Sequence, residues 1–310
     1  MDISIIIPTY NRRDILKKCL ECLLPQTYPP DKFEVVIADD NSTDGTREMV
    51  QNFKAPFKIK FVLQDKNKRG AAANNNLGIK NASGKYLLFM NNDIFVTPDF
   101  ISQHMKYHEK YPGVIVQGPA YNTSDLDNPL QETKGYSGYS NIQLGYFVTW
   151  NCSIEKELII KAGMFDEAFR NISWEDIELG TRLRKLKIKQ VFNPEAKAYH
   201  YRAPFSLKDM DGIRKKSIAM GHNAVIYYRK HPRFDTLIAT GAWFGMKWIN
   251  QLRGLIAHLI GKDRIMGIYK WLLDHKWQRT LAILVGWSGK YWYMLGVEEA
   301  LKNDKEIGGK

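Results

Sequence analysis

Several short polar clusters in this 310-residue chain close apolar runs, and they are where chemistry can happen. The sharpest is Lys85-Tyr86-Leu87-Leu88-Phe89-Met90-Asn91-Asn92-Asp93, a run of strand length ending in two amides and a carboxylate. In an open α/β sheet, ligands gather outside the carboxyl ends of strands. An acid placed there suits a hard divalent cation that also holds a phosphate; the plain alternative is a polar turn. Ala38-Asp39-Asp40-Asn41-Ser42-Thr43-Asp44-Gly45 sets adjacent acids at another strand end. One can accept from a base imide N–H or a ribose hydroxyl, while another serves the start of the next helix. This division assigns Asp44 to the helix and Asp39 or Asp40 to a ligand.

Pro8-Thr9-Tyr10-Asn11 closes the first apolar run. A strand-to-helix turn leaves backbone N–H groups facing outward for an anion or a base edge, and Tyr10 offers a ring for stacking. Lys68-Arg69-Gly70-Ala71-Ala72-Ala73-Asn74 opens a helix with small residues that allow close approach to a sheet. Its spacing matches neither a dinucleotide fingerprint nor a P-loop. Trp174-Glu175-Asp176 opens a later helix; its acids are either partners of the helix dipole or include a general base for a hydroxyl nucleophile. Trp174 would then wall the site or stack on a sugar face. Tyr199-His200-Tyr201 ends a strand, and His200 becomes a metal ligand only if that strand returns to Asp93.

The elements that must position these residues alternate. Strands are expected at 3–8, 33–38, 58–63, 86–90 and 114–117. Helices are expected near 13–24, after a cap at Ser42 or Thr43, and near 70–81 and 98–110. The near-continuous Ile/Val runs fit strands buried on both faces, so βαβ units and a mostly parallel sheet follow. Residues 119–150 read as loops with a small antiparallel excursion. Helices follow near 155–162 and 175–185, with strands at 188–193 and 196–201. Beyond Phe205 the pattern turns helical, and Trp248/Ile249, Leu252, Leu255/Ile256 and Leu259/Ile260 form one stripe flanked by Lys247, Arg253, His258 and Lys262. The expected organisation is 1–205 and 206–310.

Charge is uneven. Residues 1–200 hold 26 Lys+Arg against 24 Asp+Glu, and 201–310 hold 19 against 9, so +10 of the net +12 lies in the last third. Six of the eight Trp are there: Trp243, Trp248, Trp271, Trp277, Trp287 and Trp292. That composition points to an anionic surface; the alternative is a helical subdomain that packs on the core or forms a homodimer interface. Cys19, Cys22 and Cys152 are too few for a disulfide framework and read as buried thiols in a reducing cytosol. No signal peptide or spanning run is visible.

Taken in order, these pieces resemble family-2 inverting glycosyltransferases with the GT-A fold. The matching residues are Ile5-Ile6-Ile7-Pro8-Thr9-Tyr10-Asn11, Gln26-Thr27-Tyr28-Pro29 and Asp39-Asp40-Asn41-Ser42-Thr43-Asp44-Gly45-Thr46. Further on they are Asn74-Asn75-Asn76-Leu77-Gly78-Ile79, Asn91-Asn92-Asp93, Gly163-Met164-Phe165-Asp166-Glu167-Ala168-Phe169, and Glu175-Asp176 followed by Arg182-Leu183. The resemblance implies a Rossmann-like, mostly parallel sheet flanked by helices, with a helical C-terminal extension. It implies that Pro8, Thr9, Tyr10, Asn11, Asp39, Asp40, Gly70, Asn74 and Asn92 surround a nucleoside, uridine or a related pyrimidine. Asp93, with His200, would hold Mg²⁺ or Mn²⁺ on the diphosphate. Asp176, with Glu175 beside it, would be the catalytic base. Trp150, Asn151 and Trp174 would lie near sugar and acceptor, a glycan or lipid-linked glycan, in a cytoplasmic or peripheral membrane enzyme. Asn91 and Asn92 stand where many members carry acids. A rhamnosyltransferase-like subset shares them, and fewer charges imply modest metal affinity. Two other readings stay open: a catalytically silent nucleotide-sugar or glycan binder, and a nucleotidyltransferase. Nucleic acid is not expected as a partner.

Overall fold

The computed structural model describes residues 1–133, 146–170, 173–242, 248–252, 254–255 and 262–307. Ile256, Leu259 and Ile260 of the expected stripe lie outside these, with the flanking Lys247, Arg253 and His258, as do Trp243 and Gly145. The chain divides into two compact units, Met1–Arg170 with Glu175–Ala203, and Asn171–Trp174 with Pro204–Lys310.

The first unit is built on a seven-stranded mixed sheet, mostly parallel. Its strands are β1 (Ile3–Thr9), β2 (Phe33–Asp39), β3 (Lys58–Leu63), β4 (Tyr86–Phe89), β6 (Ile115–Gln117), β8 (Cys152–Glu155) and β9 (Gln190–Phe192), in the order β3-β2-β1-β4-β8-β6-β9. Strand β8 runs antiparallel to both neighbours. Residues alternate between the faces of β1. Ile3, Ile5 and Ile7 join Leu16, Leu20 and Leu23 of α1 (Arg13–Leu23) and Phe100, Ile101 and Met105 of α4 (Phe100–Lys110) in one core. Ile6 joins Ala72 and Ile79 of α3 (Ala71–Asn81), Ile159 of α5 (Lys156–Lys161), and Leu179 and Leu183 of α6 (Glu175–Lys185) in the other. Both faces are therefore dry, which explains the near-continuous Ile/Val runs.

A second, three-stranded sheet sets β10 (Ala198–Tyr201) between β5 (Ile94–Val96) and β7 (Ala120–Thr123), antiparallel to β5 and parallel to β7. Helix α2 (Thr46–Asn52) starts later than Ser42 or Thr43. Asp39 closes a turn on Ser42 first, and Gly45, at φ 84°, makes the left-handed entry. Asp44 accepts from Thr46 N–H at 3.2 Å and from Arg13 N–H at 2.9 Å, so it serves the starts of two helices.

The second unit is helical: α7 (Met210–Lys230), α8 (Phe234–Thr240), α9 (Lys262–Asp274) and α10 (Gln278–Ile307). Helices α7 and α10 pack backbone to backbone. A Cβ on Gly296 would fall 2.1 Å from the Ile218 carbonyl oxygen, and one on Gly221 would fall 2.1 Å from that of Tyr293. Among the described residues no helix is long and apolar enough to cross a membrane.

Candidate functional site

Strands β2, β1 and β4 are adjacent and parallel, so their carboxyl ends share one edge. Thr9 ends β1 opposite Asp39, and Asp40 N–H donates to the Thr9 carbonyl at 2.9 Å. Asn92, just beyond β4, donates from Nδ2 to Thr9 Oγ1 at 2.9 Å. With ~4.8 Å between strands, the Asp40 and Asp93 backbones are on the order of 10 Å apart. Because β8 is reversed, its start meets the same edge: Cys152 pairs with Phe89. The N–H of Thr149, three residues earlier, favours the ionised form of the Asp176 carboxylate, and Cys152 feels that carboxylate's charge. The fold thus brings Asp40, Asp93 and Asp176 to one rim of the sheet.

Asp39 and Asp40 have different fates. Asp39 is buried and accepts from Ser42 N–H at 2.8 Å and Ser42 Oγ at 2.6 Å, so its carboxylate is occupied in the turn. Asp40 accepts only a long bond from Gly70 N–H, 3.3 Å, and its Oδ1 is buried without a partner. Burial pushes its carboxyl up; the Gly70 N–H and Arg69 partly offset that. Gly70 has φ 98°, and a Cβ there would meet the Arg170 carbonyl oxygen at 2.2 Å, so no other residue fits. Tyr10 is 57% exposed, its ring open for stacking. Pro8 pairs with Ala38 inside the sheet. Asn11, at φ 48°, ties the first two loops through Thr43 N–H and Ser42 Oγ. Asn74 accepts from Gln64 Nε2 at 3.0 Å, a buried brace beneath the loop.

Strand β10 does return to Asp93. Tyr201 N–H donates to the Asp93 carbonyl at 2.8 Å, and His200 Nε2 stands 3.4 Å from Asp93 Oδ1, close enough for attraction without closing a hydrogen bond. His200 Nδ1 and Trp150 Nε1 are also buried and unpartnered. The Trp150 ring meets His200 edge-on at 5.3 Å. Burial alone would raise the Asp93 carboxyl, but His200 and the charges of Arg12 and Arg202 hold it below the ordinary range. An ionised carboxylate and an imidazole nitrogen beside it fit a divalent cation. No group of three or more His, Cys, Asp or Glu suited to a metal occurs among the described residues, so further ligands would come from diphosphate and water.

Asp176 opens α6 half-buried, and burial lifts its carboxyl to about 6 against the N–H groups of Ile177, Asp176 itself and Thr149. A carboxylate poised there suits a general base. Glu175 beside it is buried. Trp174 stacks on Tyr227 of α7 at 5.1 Å, within the helical unit. Asn151 has no free group for an acceptor. Fully buried, its Oδ1 accepts from His104 Nε2 at 2.9 Å and its Nδ2 donates to the Pro119 and Ala196 carbonyls at 2.8 Å. That network continues through Ser153 to His108 and His104, and Gln117 braces the Val148 and Asn151 carbonyls. It fixes the 148–151 turn, which carries both Thr149 N–H and the Trp150 ring. Two histidines four apart on α4 were the available sequence signal; Arg12 and Arg202 were signalled only by adjacency to Asn11 and Tyr201.

Residues 4–167 match the family model described as glycosyl transferase family 2. The chain is 26% identical over 269 residues to the uncharacterized glycosyltransferase YfnE of Bacillus subtilis (strain 168), covering 69% of this chain and 68% of that protein. It is 28% identical over 264 residues to validoxylamine A glucosyltransferase of Streptomyces hygroscopicus subsp. limoneus, covering 74% of this chain but 57% of that one. Among solved structures, the mannosyltransferase PcManGT from Pyrobaculum calidifontis, in complex with GDP-Man and Mn²⁺, has a TM-score of 0.61 at 17% identity, over 96% of this chain and 86% of that one. S. aureus TarS 1-349 in complex with UDP-GlcNAc has a TM-score of 0.54 at 19% identity, over 74% and 71%. These structural likenesses speak to the fold.

Proposed function

Since the chain belongs to glycosyl transferase family 2 and has the GT-A fold, we propose that it transfers a sugar, with inversion, from a UDP- or dTDP-linked donor to a hydroxyl of a glycan or lipid-linked glycan. The observation that carries this is the shared rim of Asp40, Asp93 and Asp176. The unpartnered Asp40 Oδ1 supplies the acceptor that a uracil or thymine imide N–H needs, and Tyr10 stacks on the ring.

Asp93 and His200 would hold Mg²⁺ or Mn²⁺, which when bound neutralises charge growing on the leaving diphosphate. Arg12 and Arg202 add positive potential at the same place. Asp176 takes the acceptor hydroxyl's proton as the oxygen attacks the anomeric carbon from the face opposite the departing diphosphate. One displacement inverts that centre, and no enzyme nucleophile is required. Thr149 N–H keeps the carboxylate oriented, and the Trp150 ring screens His200 from water. The enzyme on this reading works in the cytoplasm, at the membrane face when its acceptor is lipid-linked. The test is a hydrolysis screen over a panel of nucleotide sugars with Mn²⁺, reading released diphosphate. Turnover of a pyrimidine-linked donor is expected; inertness toward all donors, with binding retained, would leave a silent binder.

A further inference from the structure

The turn joining α9 to α10 carries an aromatic cluster that faces outward. Lys276, at φ 58°, closes α9, and the next N–H, of Trp277, returns to the Leu272 carbonyl at 2.9 Å. That turn presents Trp277 to Trp271, edge to face at 5.6 Å, while His275 stacks on Trp271 at 4.3 Å. The inward face of the hairpin is already used: Tyr269, Leu272 and Leu281 are buried in a core with Met210. The outward face is not. Ile268, Trp271, Trp277 and Ile283 remain 44%, 49%, 55% and 71% exposed.

Four large apolar side chains on one short hairpin need a partner. The charge around them says which kind. Residues 264–279 carry Arg264, Lys270, Lys276 and Arg279 against Asp274, a local excess of +3 within the +10 of the last third. Indole rings with a polar N–H settle at the boundary between headgroups and acyl chains. Flanking cations add attraction to an anionic leaflet. Aliphatic Ile268 and Ile283 have no use on a sugar face, which disfavours a glycan platform. A self-association interface would gain nothing from like charge at its rim.

The geometry points to the α9–α10 turn as a membrane-docking tip that inserts Trp271 and Trp277 into the interface of an anionic bilayer. This deepens the reading of a lipid-linked acceptor by naming the surface at which the enzyme would meet it, yet it stands on the hairpin alone.

The test uses the full chain in flotation with vesicles of phosphatidylglycerol and phosphatidylcholine, beside vesicles of phosphatidylcholine only. Co-flotation is expected with the anionic vesicles, weakened by added salt. A blue shift of tryptophan fluorescence, and quenching by brominated acyl chains, should accompany it. W271S/W277S, and separately K270E/K276E/R279E, should lower vesicle affinity about tenfold or more, with circular dichroism and melting temperature unchanged. Undiminished co-flotation of both variants would overturn the assignment, as would failure of the parent to bind anionic vesicles. Loss of a dimer in light scattering for W271S/W277S, without parent vesicle binding, would give the face to a second copy instead. Donor hydrolysis is read in parallel without lipid. Inert catalysis with intact flotation would remove the transferase reading and leave the docking tip standing.

Discussion

Asp176 is held between two pulls: burial that raises its carboxyl to about 6, and three backbone N–H groups that favour its ionised form. A base works unprotonated, so turnover should rise as pH climbs through about 6 and level above it. Asp176→Asn should lower kcat by about 10²–10⁴-fold with donor affinity nearly intact, measured by initial rates and calorimetry. The linkage has the opposite sign for stability. A carboxyl raised in the fold contributes stability at acid pH that is lost as pH rises through about 6, so Asp176→Asn should melt higher than the parent at pH 8. At the other end of the reaction, Asp93→Ala should reduce Mn²⁺-dependent nucleotide-sugar binding by about tenfold or more. Titration with and without Mn²⁺ checks it; equal loss in both would remove Asp93 from metal binding.

The α7–α10 crossing is set by glycine at the closest points, so Gly296→Ala must force the helices apart at a 2.1 Å clash with the Ile218 carbonyl. A loss of about 1–3 kcal/mol is expected, read by thermal or urea unfolding. Pairings of this kind are invisible in a sequence, because a glycine within a helix reads as a weakness until the partner backbone is known. The apolar strands β1, β2 and β4 were legible because burial on both faces leaves few polar interruptions. Strands β5 and β8 were not: each gains its identity from a partner distant in the chain. The same limit applies to the site. Asp40, Asp93 and Asp176 could be singled out from strand and helix ends. Asn151 and Asn74 look like ligand amides in the sequence, yet their hydrogen bonds hold the fold. Asp39 differs from Asp40 only by which of the two can reach Ser42.

At the scale of the molecule, the His104–Ser153–His108 network couples the main sheet to acid. Burial pushes His104 down to about 4 and His108 to about 3, so both are neutral in the fold. They contribute stability that is present above the ordinary histidine value of 6.5 and is lost as pH falls toward those folded values. The urea midpoint should therefore drop between pH 6.5 and pH 4, and His104→Asn/His108→Asn should flatten that slope. The reversal of β8 reaches further than the site. It leaves the opposite rim, where β1 to β4 begin and β8 ends, free of every residue given a role in transfer. Lys58 is exposed on that rim, while Cys19 and Cys152 are buried and Cys22, expected to be buried, is half-buried. A thiol introduced as Lys58→Cys should accept a dye or tether the protein to a sensor chip with the donor entrance pointing away from the support. Such tethered molecules should turn over as fast as free ones.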